Sequence, residues 1–178
     1  MIKILTIDPG LSHWGAALKD IDGKVSFISL INKGETPNAK MRHFAWGLKR
    51  YLYNEVWEGG FHFGIEGTWQ APQSAKRGAP PATVAMINQV IGIAKAWTWT
   101  IDSNIVIHDI PVWAKKGSEE RPWMEAYSLA RGPGTQYQRE KAWESACVSM
   151  AENVLGVKPD SVHSACALLM LDWLERRI

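Results

Sequence analysis

The sequence predicts an α/β fold, a mixed five-stranded sheet flanked by helices on both faces. Three observations lead there. Three β-type runs at 2–8, 14–19 and 24–31 follow one another directly. Two more runs, 61–66 and 104–110, each arrive only after a stretch of helical periodicity. Helical patterns then fill the C-terminal part of the chain. Sequential strands predict an antiparallel meander, and strands separated by helices predict right-handed parallel crossovers.

The elements follow in order. The first run, Lys3-Ile4-Leu5-Thr6-Ile7-Asp8, ends at Pro9-Gly10, which stops the strand and turns the chain. Asp22-Gly23 is a hairpin turn between the second and third runs. Met41, Phe44, Ala45, Leu48 and Leu52 share one helical face, which predicts a helix over 38–57. Phe61 to Glu66 is the fourth strand, and residues 69–81 are a loop by their Pro, Gly and polar content. A helix over 82–100 precedes the fifth strand, which Pro111 ends. Residues 117–138 are polar and broken at Gly132-Pro133-Gly134; helices over 138–154 and 160–176 complete the chain. No internal repeat divides the sequence, and residues 1–178 are expected to form a single domain.

Bulk composition narrows the class. At 178 residues with 46% hydrophobic and 21% charged side chains, the chain has enough apolar material for a core and is not of disordered type. A net charge of +2 is only mildly basic, so nucleic-acid binding must rest on local patches. Cys147 and Cys166 fall on apolar helical patterns and lack zinc-ligand spacing, so buried thiols are expected. No signal-peptide pattern opens the chain, and its apolar stretches are too interrupted to span a membrane.

Three carboxylates stand out by position. Asp8 and Glu66 each close an apolar strand, and Asp160 stands at the expected start of the last helix. Acids from three separate elements suggest a divalent-metal site. Each has a plainer reading: Asp8 as a turn acid, Asp160 as a helix cap, Glu66 as a lysine partner.

The ordered set resembles the RuvC-type Holliday junction resolvases, of ribonuclease-H-like fold. The resemblance rests on Ile7-Asp8-Pro9-Gly10, on Ile65-Glu66 and on the segment from Asp160 through His163 to Leu168. Weaker matches are Pro111 to Lys116, the Gly132-Pro133-Gly134 turn and Arg139-Glu140-Lys141. His163 stands where many members have Asp, and 117–131 is longer and more polar than the usual connection.

The resemblance implies a nuclease in which Asp8, Glu66, Asp160 and His163 form the catalytic, metal-binding set, with Asp8 bridging two Mg2+ ions. Mn2+ would substitute for Mg2+, and a nitrogen ligand favours it somewhat. Two metals about 3.5–4 Å apart stabilise both the attacking and the leaving oxygen in phosphodiester hydrolysis. On a helix, His163 would share a face with Asp160, as a ligand or as a base toward water. The implied partner is four-way branched DNA, bound by a homodimer. Trp69 is expected to stack on an unpaired base, or else to pack on the following helix. Lys76, Arg77, Lys115, Lys116, Arg139 and Lys141 are expected phosphate contacts. Arg139 and Lys141 sit at an expected helix start, where a bound phosphate would offset unfavourable charge. Met86, Val90, Ile93 and Trp97 form the candidate dimer face, or else ordinary core. The expected setting is the bacterial cytoplasm, for a cellular or a phage protein. Competing readings are a nuclease for RNA–DNA hybrids or flaps, a non-catalytic branched-DNA binder, and an ATP-binding protein of actin type. The last would need a second domain that 178 residues hardly allow.

Overall fold

The computed structural model describes residues 2–56, 61–67, 81–102, 105–110 and 134–178. Five strands form one sheet: β1 Lys3–Asp8, β2 His13–Lys19, β3 Val25–Ile31, β4 Phe61–Glu66 and β5 Val106–Ile110. Their order is β3-β2-β1-β4-β5. The first three are antiparallel, whereas β4 runs parallel to both β1 and β5, as the spacing of the strands predicts. Both sheet types meet at β1, so its C-terminal end lies beside that of β4. A carboxylate at the end of each strand is thereby brought to one edge.

Helices cover both faces. On one, α1 (Pro37–Tyr51) and α2 (Pro81–Ile101) enclose Leu5, Ile7, Trp14, Phe63 and Ile65. Trp14 is fully buried with its ring edge-on to Phe44. On the other face, α3 (Gln136–Leu155) and α4 (Val162–Glu175) pack against Ile4, Ala17 and Ile110. Every residue of α4 from Ser164 to Leu171 is buried. A helix apolar all round must be enclosed, and α4 lies between the sheet and α3.

Glycines let α4 approach so closely. A Cβ on Gly64 would stand 2.9 Å from Leu174, Ile110 and Thr6 side-chain atoms. Thr6 Oγ1 then donates to the Ala167 carbonyl at 2.7 Å, joining strand and helix across the missing side chain.

Several boundaries and contacts differ from expectation. The first helix turns wider at its end, with π geometry over Leu52–Val56. Thr135 and Gln138 form a capping box, so α3 begins at Gln136. Arg139 and Lys141 therefore lie past the orphan N–H groups, and Lys141 instead pairs with Glu144 at 2.6 Å. Arg139 is thus the fourth residue of α3 and Lys141 the sixth, further from the helix start than expected. Val90 of α2 is fully buried in the monomer core, with Ile93 and Trp97 packed on it. Val90 of the expected dimer face is therefore ordinary core, because α2's apolar stripe helps to cover the sheet. Cys147 and Cys166 are buried free thiols, as their apolar setting predicts. Among the described residues no helix is long and apolar enough to cross a membrane.

Candidate functional site at the C-terminal edge of β1 and β4

Ile7 pairs with Ile65 in the parallel register, so Asp8 and Glu66 follow side by side at the strand ends. Strand alternation puts Asp8 on the same face as Thr6, the face that α4 covers. Glu66 is 5% exposed, an unusual position for a carboxylate.

The first turn of α4 closes over this pair. Asp8 is in register with Gly15 of β2. A Cβ on Gly15 would lie 2.3 Å from the His163 carbonyl group, so only glycine lets α4 come down here. His163 consequently reaches Asp8: its Nδ1–H donates to Asp8 Oδ2 at 2.7 Å. The side chains are 32% and 15% exposed, respectively. Burial alone would lower the His163 pKa. The Asp8 hydrogen bond and charge, with a further contribution from Glu144, outweigh it and raise the pKa above the ordinary histidine value. His13 lies parallel to the His163 ring, with centroids 5.7 Å apart.

Beneath the acids, the Cys166 thiol is held protonated, well above its usual pKa. Its hydrogen bond with Cys147 leads, then burial, then the negative charges of Asp8 and Glu66. A neutral thiol is what such a position tolerates, since a thiolate would add a third negative charge.

Asp160 stands differently from its expected place. Ser161 is the N-cap of α4, in extended conformation and boxed with Ser164. Asp160 therefore precedes the helix and does not share a helical face with His163. It is exposed, and its Oδ1 accepts from Ser164 Oγ at 2.6 Å. The structure thus brings together Asp8, Glu66 and His163 and leaves Asp160 beside the helix cap. Trp69, Lys76, Arg77, Lys115 and Lys116 lie outside the described residues.

Four contributors escaped the sequence reading. Gly15 was a signal of close backbone approach inside a strand. His13 and Glu144 carry no local pattern. Asn32 is buried just after β3 and donates to the Gly10 and Leu11 carbonyls, each at 3.0 Å. Its own N–H donates to Ser12 at 2.7 Å. It thereby shapes the turn that follows Asp8.

Among the described residues, no group of three or more His, Cys, Asp or Glu side chains is arranged to hold a metal ion. The donor chemistry nevertheless suits a hard divalent cation. Two carboxylates end adjacent strands with no lysine or arginine ion-paired to Asp8 among the described residues.

The fold is that of solved RuvC structures. "T. thermophilus RuvC in complex with Holliday junction substrate" matches with a TM-score of 0.63 at 11% identity, over 99% of this chain and 96% of that one. A second, "Thermus thermophilus RuvC structure", matches with a TM-score of 0.56 at 13% identity, over the same shares. No protein-family model and no curated protein matches the chain. The class defined is therefore structural, a mixed α/β sheet of ribonuclease-H-like, RuvC type.

Proposed function

We propose that this chain is a metal-dependent endonuclease that resolves four-way DNA junctions by paired, symmetric nicks. The observation that carries the reading is the meeting of Asp8, Glu66 and His163 at one sheet edge. The RuvC fold supports it, since one neighbour of that fold is in complex with a Holliday junction substrate.

Mg2+, or Mn2+ in its place, would be held by Asp8 and Glu66 with Asp160 as a further ligand, and His163 would serve either as a ligand or as a base toward water. When bound, two such ions activate water and stabilise the charge that develops on phosphate oxygens. The chain's own residues do the rest. Gly15 and Gly64 let α4 seat His163 against Asp8, and Asn32 holds the turn after Asp8. Asp8 holds the His163 ring by Nδ1, which leaves Nε2 as the nitrogen for exchanging a proton. Neutral Cys166 adds no charge beneath the carboxylates.

Residues 1–178 act as one nuclease domain in this reading. Trp69 stacks on an unpaired base, and Lys76, Arg77, Lys115, Lys116, Arg139 and Lys141 contact phosphates. A homodimer matches the two-fold symmetry of a junction. The proposed setting is the bacterial cytoplasm, for a protein encoded by the cell or by a phage.

The test is cleavage of an end-labelled four-way junction and of linear duplexes of the same sequence, in Mg2+ and in Mn2+. Symmetric nicks in two strands of like polarity, confined to the junction, are expected. Equal cutting of the linear duplexes contradicts the substrate assignment, and no cutting of any substrate contradicts the nuclease reading.

A further inference from the structure

A groove lies on the opposite face of the sheet from α4, between α1 and the edge strand β3. Its volume is about 680 Å3. Ile28 and Leu30 of β3 form one wall; His43, Trp46 and Arg50 of α1 form the other. Lys49 and Tyr53 line it as well.

The residues are unusual for an outer surface. Trp46 is 71% exposed in the middle of a helix whose other large apolar side chains face the core. Trp46, Lys49, Arg50 and Tyr53 are spaced so that they share one side of the helix. Lys49 Nζ stands 5.8 Å from the Trp46 ring centre, 5.7 Å from Tyr53 and 5.0 Å from Trp97. Neither Lys49 nor Arg50 is ion-paired among the described residues. From Pro37 to Tyr51 the chain carries Lys40, Arg42, Lys49 and Arg50 and no carboxylate. His43 Nδ1 is buried in this region without a hydrogen-bond partner among the described residues.

Part of this has a simpler cause. Lys49 and Arg50 fall in the last turn of α1, where cations oppose the helix dipole. That does not account for an exposed tryptophan or an apolar hollow beside it.

We propose that this groove binds single-stranded nucleic acid, with one base seated against Trp46 and the flanking phosphates on Lys49 and Arg50. A concave apolar hollow with an aromatic wall accepts the flat face of a base, and the cations that line it match the backbone charge. The groove lies apart from the carboxylate edge, so it is a second contact and not part of the hydrolytic site. Choosing nucleic acid over another planar anion rests on the nuclease reading above. The helix runs down from the site edge, where Lys40 Nζ donates to Ser12 Oγ at 3.0 Å. A strand leaving the carboxylates along α1 would meet Lys40 first and Trp46 next.

The test is fluorescence anisotropy of a labelled oligodeoxythymidine with the full chain in EDTA, over a series of salt concentrations. Trp46→Ala is expected to weaken binding about tenfold, the loss of one stacked base. Removing bases from the strand should then matter less to W46A than to the parent. The double change Lys49→Ala with Arg50→Ala should flatten the log–log salt dependence by roughly 1.4, two single-strand phosphate contacts. Circular dichroism checks that each variant is folded. Folded variants that bind like the parent would overturn the proposal. So would a parent that sediments as a dimer and a W46A monomer with unchanged strand affinity, since a second copy would then fill the groove. The measurement uses no metal and no cleavage. A parent that binds strand through Trp46 yet never nicks DNA would refute the nuclease reading and leave the groove assignment standing.

Discussion

At the scale of single residues, the site depends as much on what is missing as on the acids. Gly15 has no side chain, and that absence is what allows the His163 backbone to lie against β2. A methyl group there would meet the first turn of α4 at 2.3 Å, and backbone atoms cannot swing aside as a flexible side chain can. Gly15→Ala is therefore expected to destabilise the protein by about 2–3 kcal/mol, within the range of overpacked cores. Urea unfolding measures this, and a change below about 0.5 kcal/mol, the size of an ordinary surface substitution, would rule out the close approach as described. Asp8 and Glu66 were legible in the sequence because a charged residue ending an apolar strand is conspicuous. Gly15, Asn32 and Glu144 were not, because each acts through contacts with distant segments. Asn32 serves carbonyls more than twenty positions earlier in the chain.

At the scale of elements, the strands were readable and the helix starts less so. Period-two runs and their Pro and Gly stops mark strands clearly. Helix starts depend on which of several polar residues wins the cap. Ser161 takes that place in α4 because Ser164 completes its box, and Asp160 is left outside. Thr135 and Gln138 do the same for α3 and move its start ahead of the basic pair. In α2 the apolar stripe was visible, but a sequence cannot say whether a stripe meets its own sheet or a second chain. Here Val90 meets the sheet.

The pairing of β4 with β5 carries its own titration. His62 Nδ1 and His108 Nε2 are 2.9 Å apart, so one nitrogen must donate and the other accept. Burial lowers the His108 pKa below the ordinary histidine value, and charge on His62 lowers it further. Between the folded and unfolded values the unfolded chain binds more protons. This contribution to stability is therefore full above the unfolded value and is lost as the pH falls through the folded one. His163 has the opposite sign: its raised pKa contributes below the unfolded value and is lost as the pH rises through the folded one. A comparison of variants separates the two. Between pH 7.5 and 5.5, the parent's urea midpoint is expected to fall more than that of His108→Gln. Equal falls would show that the histidine pair does not govern this acid loss.

At the scale of the whole molecule, the sheet order follows from where the helices interrupt the strands. Three consecutive strands can pair by hairpins, and each later strand must cross over, so β1 becomes the centre and β4 its parallel neighbour. That topology places Asp8 beside Glu66, and the buried α4 brings His163 to the same edge. The groove beyond α1 had no such signature. Its members come from β3 and α1, and only the folded chain sets Ile28 and Leu30 opposite Trp46. Its exposed tryptophan was simply one of ten in the sequence.

The central claim is that the edge holding Asp8 is a hydrolytic centre and not an inert turn. The most direct measurement compares the parent with Asp8→Asn on a labelled four-way junction in Mg2+, recording binding and nicking separately. The amide keeps the shape of the side chain but removes its charge. Nicking is expected to fall on the order of a hundredfold or more. Junction binding in EDTA is expected to stay as tight or to tighten, because a carboxylate near phosphate opposes binding without metal. Parental nicking by the variant would contradict the account, and so would a loss of binding as large as the loss of cutting.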